Sequence, residues 1–77
     1  MPKKKPVSGL KLIKALSKAG FQVVGRKGSH VRLKRKTSDN IYIVIVPVHP
    51  EVKKGTLKSI LRQAGLTAEE LERLLEQ

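Results

Sequence analysis

Lys27-Gly28-Ser29-His30-Val31-Arg32-Leu33-Lys34 reads as a glycine turn that opens into a β-strand. The alternation along that strand decides how the chain folds. Successive side chains of a pleated strand point to opposite faces, so His30, Arg32 and Lys34 share one face while Val31 and Leu33 share the other. One face can be buried and the other can meet a polyanion. Gly28 accepts a positive φ that most residues resist, and it lets a phosphate or another backbone approach closely. Among these side chains only an imidazole titrates near neutrality, so His30 is the group that can exchange a proton at working pH. Residue types alone also allow an ordinary turn followed by a solvated surface histidine.

Working outward, Phe21 to Lys27 reads as a strand, with Phe21, Val23 and Gly25 on one face and Gln22, Val24 and Arg26 on the other. The strand from His30 to Lys36 is followed by Thr37-Ser38-Asp39-Asn40, whose residue types favour a hairpin turn. Ile41 to Val46 is a third strand, apolar on both faces: Ile41, Ile43 and Ile45 against Tyr42, Val44 and Val46. Helices can cover only one of them. The expectation is that Tyr42, Val44 and Val46, with Val24 beside them, form an apolar patch for a partner chain or for a covering loop or tail.

Helices flank these strands. Ser8 is a candidate N-cap for a helix over Gly9 to Ala19, with Leu12, Ile13, Leu16 and Ala19 along one face and Lys11, Lys14 and Lys18 opposite. Gly20 is placed to end it in a left-handed residue, with Phe21 folding back on Leu16. Pro47-Val48-His49-Pro50 ends the sheet, and Glu51 to Gly55 forms a loop before a helix capped by Thr56. Leu57, Ile60, Leu61 and Ala64 are its expected buried stripe, and Gly65-Leu66 repeats the ending seen at Gly20-Phe21. Lys53, Lys54 and Lys58 stand at its start, where unpaired N–H groups and the positive end of the helix dipole favour phosphate. Thr67-Ala68-Glu69-Glu70 is a capping box, with Leu66 and Leu71 as its hydrophobic staple, and it begins a short last helix.

The fold class expected is therefore α+β: a helix, a three-stranded antiparallel sheet, a helix and a short C-terminal helix. A chain of 77 residues has surface enough for one thin core. Residues 1–6 are expected to be a basic flexible arm, and residues 7–77 one domain. There is no cysteine, which excludes a disulfide framework and a thiolate zinc site and fits a reducing cytosol. No apolar run follows the basic start, so a soluble, cytoplasmic protein with no membrane association is expected.

Charge narrows the partner. Seventeen Lys and Arg stand against six acids, for a net charge of +11. Residues 1–66 hold sixteen of those cations against Asp39 and Glu51 alone, a net +14, while residues 67–77 carry a net −3. A surface of this sign attracts nucleic acid, because neutralising phosphates releases condensed counterions. A membrane surface would attract the same charge, but the chain lacks an aromatic-flanked amphipathic helix.

Five motifs then occur in order: Pro6-Val7-Ser8-Gly9 leading into a helix that ends Lys18-Ala19-Gly20-Phe21; Lys27-Gly28-Ser29-His30; Val46-Pro47-Val48-His49; Gly55-Thr56-Leu57-Lys58-Ser59-Ile60; and Gln63-Ala64-Gly65-Leu66. Together they resemble the HicA family of mRNA interferase toxins, and the order of elements is similar to a small double-stranded-RNA-binding-like (dsRBD-like) fold. The resemblance implies a ribosome-independent endoribonuclease acting on mRNA, with the histidine of the Gly-Ser-His motif, here His30, as its catalytic residue. It also implies helices on one side of the sheet and a HicB-like antitoxin that blocks the active-site face, in an oligomer with the toxin. The chain departs from the common pattern in Lys11-Leu12, where the first helix often carries an acid, and in an unusually cationic second strand.

The residues fit this chemistry. Two distant histidines and six acids, four of them confined to residues 67–77, do not build a two-metal phosphodiesterase site, so no metal or cofactor is expected. His30 can take the proton of a ribose 2′-hydroxyl, which then attacks the adjacent phosphorus. Lys27, Arg32 or Lys34 would stabilise the phosphoryl oxygens, with the N–H groups of Gly28 and Ser29 helping, and Lys53, Lys54 and Lys58 would hold the RNA backbone. For His49, which follows a strand end, a structural or substrate-positioning role is the weightier reading. Two other classes stay open from the residues themselves. One is a non-catalytic RNA-binding module; the other is a protein-interaction module whose partner covers Tyr42, Val44 and Val46.

Overall fold

A computed structural model describes residues 7–76; the expected basic arm at residues 1–6 lies outside the described residues. The elements follow one another as α1 (Gly9–Lys18), β1 (Gln22–Lys27), β2 (His30–Lys36), β3 (Ile41–Pro47), α2 (Lys54–Ala64) and α3 (Ala68–Glu76). The strands form one antiparallel sheet in the order β1-β2-β3. This is the expected α+β layout, and it is consistent with a dsRBD-like fold.

Local chemistry sets the helix ends. The Ser8 hydroxyl accepts from the Lys11 N–H at 3.2 Å, so it caps α1. At the other end the Phe21 N–H donates to the Leu16 carbonyl at 3.0 Å and the Gly20 N–H to that of Ser17 at 3.1 Å, with Gly20 at φ +102°. This paired pattern is a Schellman end. The C-terminus of α2 repeats it through Leu66 to Leu61 and Gly65 to Arg62. Before α3 the Thr67 hydroxyl accepts from the Glu70 N–H, and the Glu70 carboxylate accepts from the Thr67 N–H, which is the reciprocal capping box. The start of α2 differs from expectation. The helix begins at Lys54 with Lys53 at the N-cap and no side-chain cap, and Thr56 lies inside the first turn.

The ladder decides which face of β3 is buried. Residues paired across an antiparallel ladder point to the same face. Val31 pairs with Val46 and Leu33 with Val44, so these four form the floor on which the helices pack. Leu33, Val44 and Val46 are fully buried, and they meet Leu12, Ala15 and Leu16 of α1, Ile60 and Ala64 of α2 and Leu71 of α3 in one core. The sequence expectation for β3 was thus reversed. Val44 and Val46 are core, Tyr42 is half-buried, and Ile41, Ile43 and Ile45 are exposed, at 57, 51 and 48%. A partner covering Tyr42, Val44 and Val46 is excluded, because the protein's own helices cover them.

The alternation expected for β1 also breaks. A bulge between Val23 and Gly25 leaves Val24 without a partner on β2, so Gly25 pairs with Arg32 and joins the open face. Val23 lies opposite Leu33 but stays exposed on the edge strand, like Val24. On the other edge, the Gln63 side chain of α2 accepts the Ile45 N–H at 3.3 Å, which occupies part of the free edge of β3.

Candidate active site

The open face of the sheet carries His30, Arg32, Lys34 and Lys36 on β2, with Pro47, Ile45, Ile43 and Ile41 opposite them on β3 and Lys27, Gly25 and Gln22 on β1. His30 sits at the head of this face because Lys27 pairs with it across a two-residue turn. Gly28 has φ +58° and Ser29 a negative φ, the pattern of a II′ hairpin turn, which takes glycine first.

The turn is anchored from behind. The Ser29 carbonyl accepts from the Val48 N–H at 2.6 Å, and the Gly28 carbonyl accepts from Arg26 Nε at 3.3 Å. The segment after β3 is in turn bound to the start of α1, since the Gly9 N–H donates to the His49 carbonyl at 2.9 Å and the Val52 N–H to the Val7 carbonyl at 2.8 Å. Gly9 permits this: a Cβ there would press on the Pro47 carbonyl oxygen and lie 2.8 Å from Val48 Cα. The His49 carbonyl thus belongs to this anchoring, while its ring is exposed.

A groove of about 730 Å³ opens on this face, lined by Gly25, Arg26, Lys27, His30, Arg32 and Ile45. Three cations and an imidazole converge there without an acid among them. Gly25 has no atom within 4 Å of where its Cβ would stand, and its lack of a side chain leaves a hollow beside Arg32. Such a site can hold an anion and move a proton at its edge. It is open to solvent, so a polymer can pass through it.

The expected site residues divide. Lys27, His30 and Arg32 line the groove, Gly28 and Ser29 form the turn above it, and Lys34 lies two residues further along the same face. Lys53, Lys54 and Lys58 do not line it; they are exposed on the N-terminal part of α2. With Gln63 beside Ile45 and Gly65 against Tyr42, α2 runs antiparallel to β3, and its start lies toward the Pro47 end of the sheet, the end that holds His30. Arg26, Gly25 and Ile45 are groove residues that sequence reading left out. The two-residue turn signals Arg26, which stands four residues before His30 across it. Gly25 needed the bulge and Ile45 the correct face of β3. Among the described residues no three His, Cys, Asp or Glu are grouped to hold a metal ion, and no helix is long and apolar enough to cross a membrane.

The fold and this face define a small α+β domain with a histidine-headed, cationic sheet surface. Residues 9–66 match the family described as HicA toxin of bacterial toxin-antitoxin, and the chain belongs to that family. No curated protein matches it.

Proposed function

We propose that this toxin-family protein is a metal-independent endoribonuclease that cleaves mRNA at the groove headed by His30. The observation that carries this reading is the placement of one imidazole beside Lys27 and Arg32 on an uncovered sheet face, with Arg26 at the edge of the same groove. RNA supplies its own nucleophile. His30 takes the proton of a 2′-hydroxyl, the 2′-oxygen bonds to the adjacent phosphorus, and the bond from phosphorus to the 5′-oxygen breaks. The products are a 2′,3′-cyclic phosphate and, once the leaving oxygen is protonated, a 5′-hydroxyl. Arg32 and Lys27 stabilise the charge that builds on the phosphoryl oxygens, and Lys34 holds the neighbouring phosphate. The N–H groups of Gly28 and Ser29, which stand outside the ladder in a two-residue turn, are further donors. Lys53, Lys54 and Lys58 attract the RNA backbone at the His30 end of the sheet.

The family pairs toxin with antitoxin, and a HicB-like antitoxin would silence the protein by covering the same face. Exposed Ile41, Ile43 and Ile45 give that cover an apolar contact.

The test is cleavage of a mixed-sequence RNA in EDTA by the purified protein and by His30→Ala, with analysis of the product ends. Removing a proton-transfer group costs about 10²–10⁴-fold in rate, so the variant should cut that much more slowly while still binding RNA. Intact RNA with both proteins, despite binding, would make this a non-catalytic RNA-binding module.

A further inference from the structure

Beyond the groove the open face continues as two rows. Arg32, Lys34 and Lys36 follow one another along β2, and Ile45, Ile43 and Ile41 lie directly opposite them on β3. Alternate residues of a strand stand about 6.8 Å apart, and neighbouring strands about 4.8 Å apart. The cations are exposed and the isoleucines about half exposed, so both rows are open to one ligand. The rows extend from His30 in one direction only. On its other side the chain turns through Gly28 and Ser29, and the Pro47–His49 segment is bound to α1. At the far end, the Thr37–Asn40 turn brings Asp39, the first acid met along this path.

Resting on the ribonuclease reading, we infer that this face is a one-sided track for single-stranded RNA. Arg32 stays on the scissile phosphate, Lys34 and Lys36 each hold one successive phosphate on one side of it, and the isoleucine row takes the unstacked bases. The cation spacing matches one extended strand, whose phosphates advance by a similar step. Attack by the 2′-oxygen also requires it in line with the leaving oxygen, a geometry that a stacked A-form helix withholds and a single strand can adopt. The isoleucine row offers the bases apolar contact without hydrogen-bond readout, so the track is tolerant of sequence.

The experiment uses oligonucleotides with one ribonucleotide among 2′-O-methyl residues, extended by one to four nucleotides on its 5′ or its 3′ side. Extension on one side should raise kcat/KM until about two phosphates have been added, and extension on the other should change it less than twofold. Each phosphate contact on a single strand adds about 0.7 to the salt slope, which at 0.1 M salt is roughly fivefold in affinity. Lys36→Gln should therefore weaken binding of a fully 2′-O-methylated strand about fivefold and lower its slope by about 0.7. Lys14→Gln, the same loss of charge on α1 on the helix side, should do neither. Equal gains from both directions overturn the track, as do equal losses in the two variants or equal binding of single strand and duplex. Failure of any strand to bind, leaving the face to a protein partner alone, also overturns it. A strand that is never cut but binds with the Lys36-dependent slope refutes the ribonuclease reading and upholds the track.

Discussion

Gly9→Ala tests how the His30 turn is held. The added methyl group would press on the Pro47 carbonyl oxygen and lie 2.8 Å from Val48 Cα. Both are backbone atoms, so no rotamer change relieves the contact, and α1 or the end of β3 must move. Overpacking of this kind costs about 1–3 kcal/mol. Movement also stretches the bond from Gly9 to His49, and a lost backbone hydrogen bond adds about 0.5–1.5 kcal/mol. Alanine returns up to about 1 kcal/mol as the better helix former. The net loss is about 2–3 kcal/mol, against a total stability for a domain this size of roughly 4–12 kcal/mol. Urea unfolding should show a lower midpoint with an unchanged slope. Gly55→Ala is the matched comparison: nothing lies within 4 Å of its Cβ position in α2, so the same methyl group should raise stability by about 0.5–1 kcal/mol. A Gly9→Ala protein within about 0.5 kcal/mol of wild type, the range of an ordinary surface change, would refute the close approach of α1 to the segment behind the turn.

Val44→Thr should destabilise by about 1–3 kcal/mol because it buries an unpartnered hydroxyl, whereas Ile43→Thr should stay within about 0.5 kcal/mol; urea midpoints of the pair check which face of β3 is core. Gly65→Ala should cost more than Gly28→Ala. Both residues have positive φ, but only at Gly65 would the methyl group meet a neighbour, the Tyr42 ring at 2.8 Å, and Tyr42→Leu in the same chain should recover part of the difference. The Thr67 backbone and hydroxyl hydrogen bonds hold the Glu70 carboxyl below its usual range. A depressed carboxylate pKa contributes stability that is present above the unfolded value and lost as pH falls through the folded one. Stability should therefore decline on acidification through that window, and Glu70→Gln, compared by thermal unfolding at successive pH values, should remove this part of the decline.

Sequence showed the helix ends most clearly, the start of α2 excepted, because each is set locally among four to six residues. Ser8, Gly20, Gly65 and Thr67 all act as their residue types require. The split of β2 was equally readable, since cations and aliphatics alternate from Val31 to Lys34 and only Arg35 breaks the pattern. In β3 both faces are β-branched or aromatic, and composition cannot choose between them. The choice is made at a distance, by pairing with Val31 and Leu33. The bulge at Val24 carries no strong signal beyond the glycine after it, so the hollow at Gly25 could not be placed. His30, Lys27 and Arg32 were legible as one cluster because a two-residue turn fixes their relation; that Lys53, Lys54 and Lys58 stand apart from it depends on how α2 packs.

The bond from Val48 to Ser29 joins the turn to residues added nineteen positions later, and Val52 to Val7 closes the loop around it. During synthesis from the N-terminus, His30 is therefore made well before the support that positions it. A nascent chain released early, before Val48, would carry the histidine and most of its cations on an unbraced hairpin. Assembly of the site is thus timed by chain length, and the turn is braced only after the chain has grown past Val52.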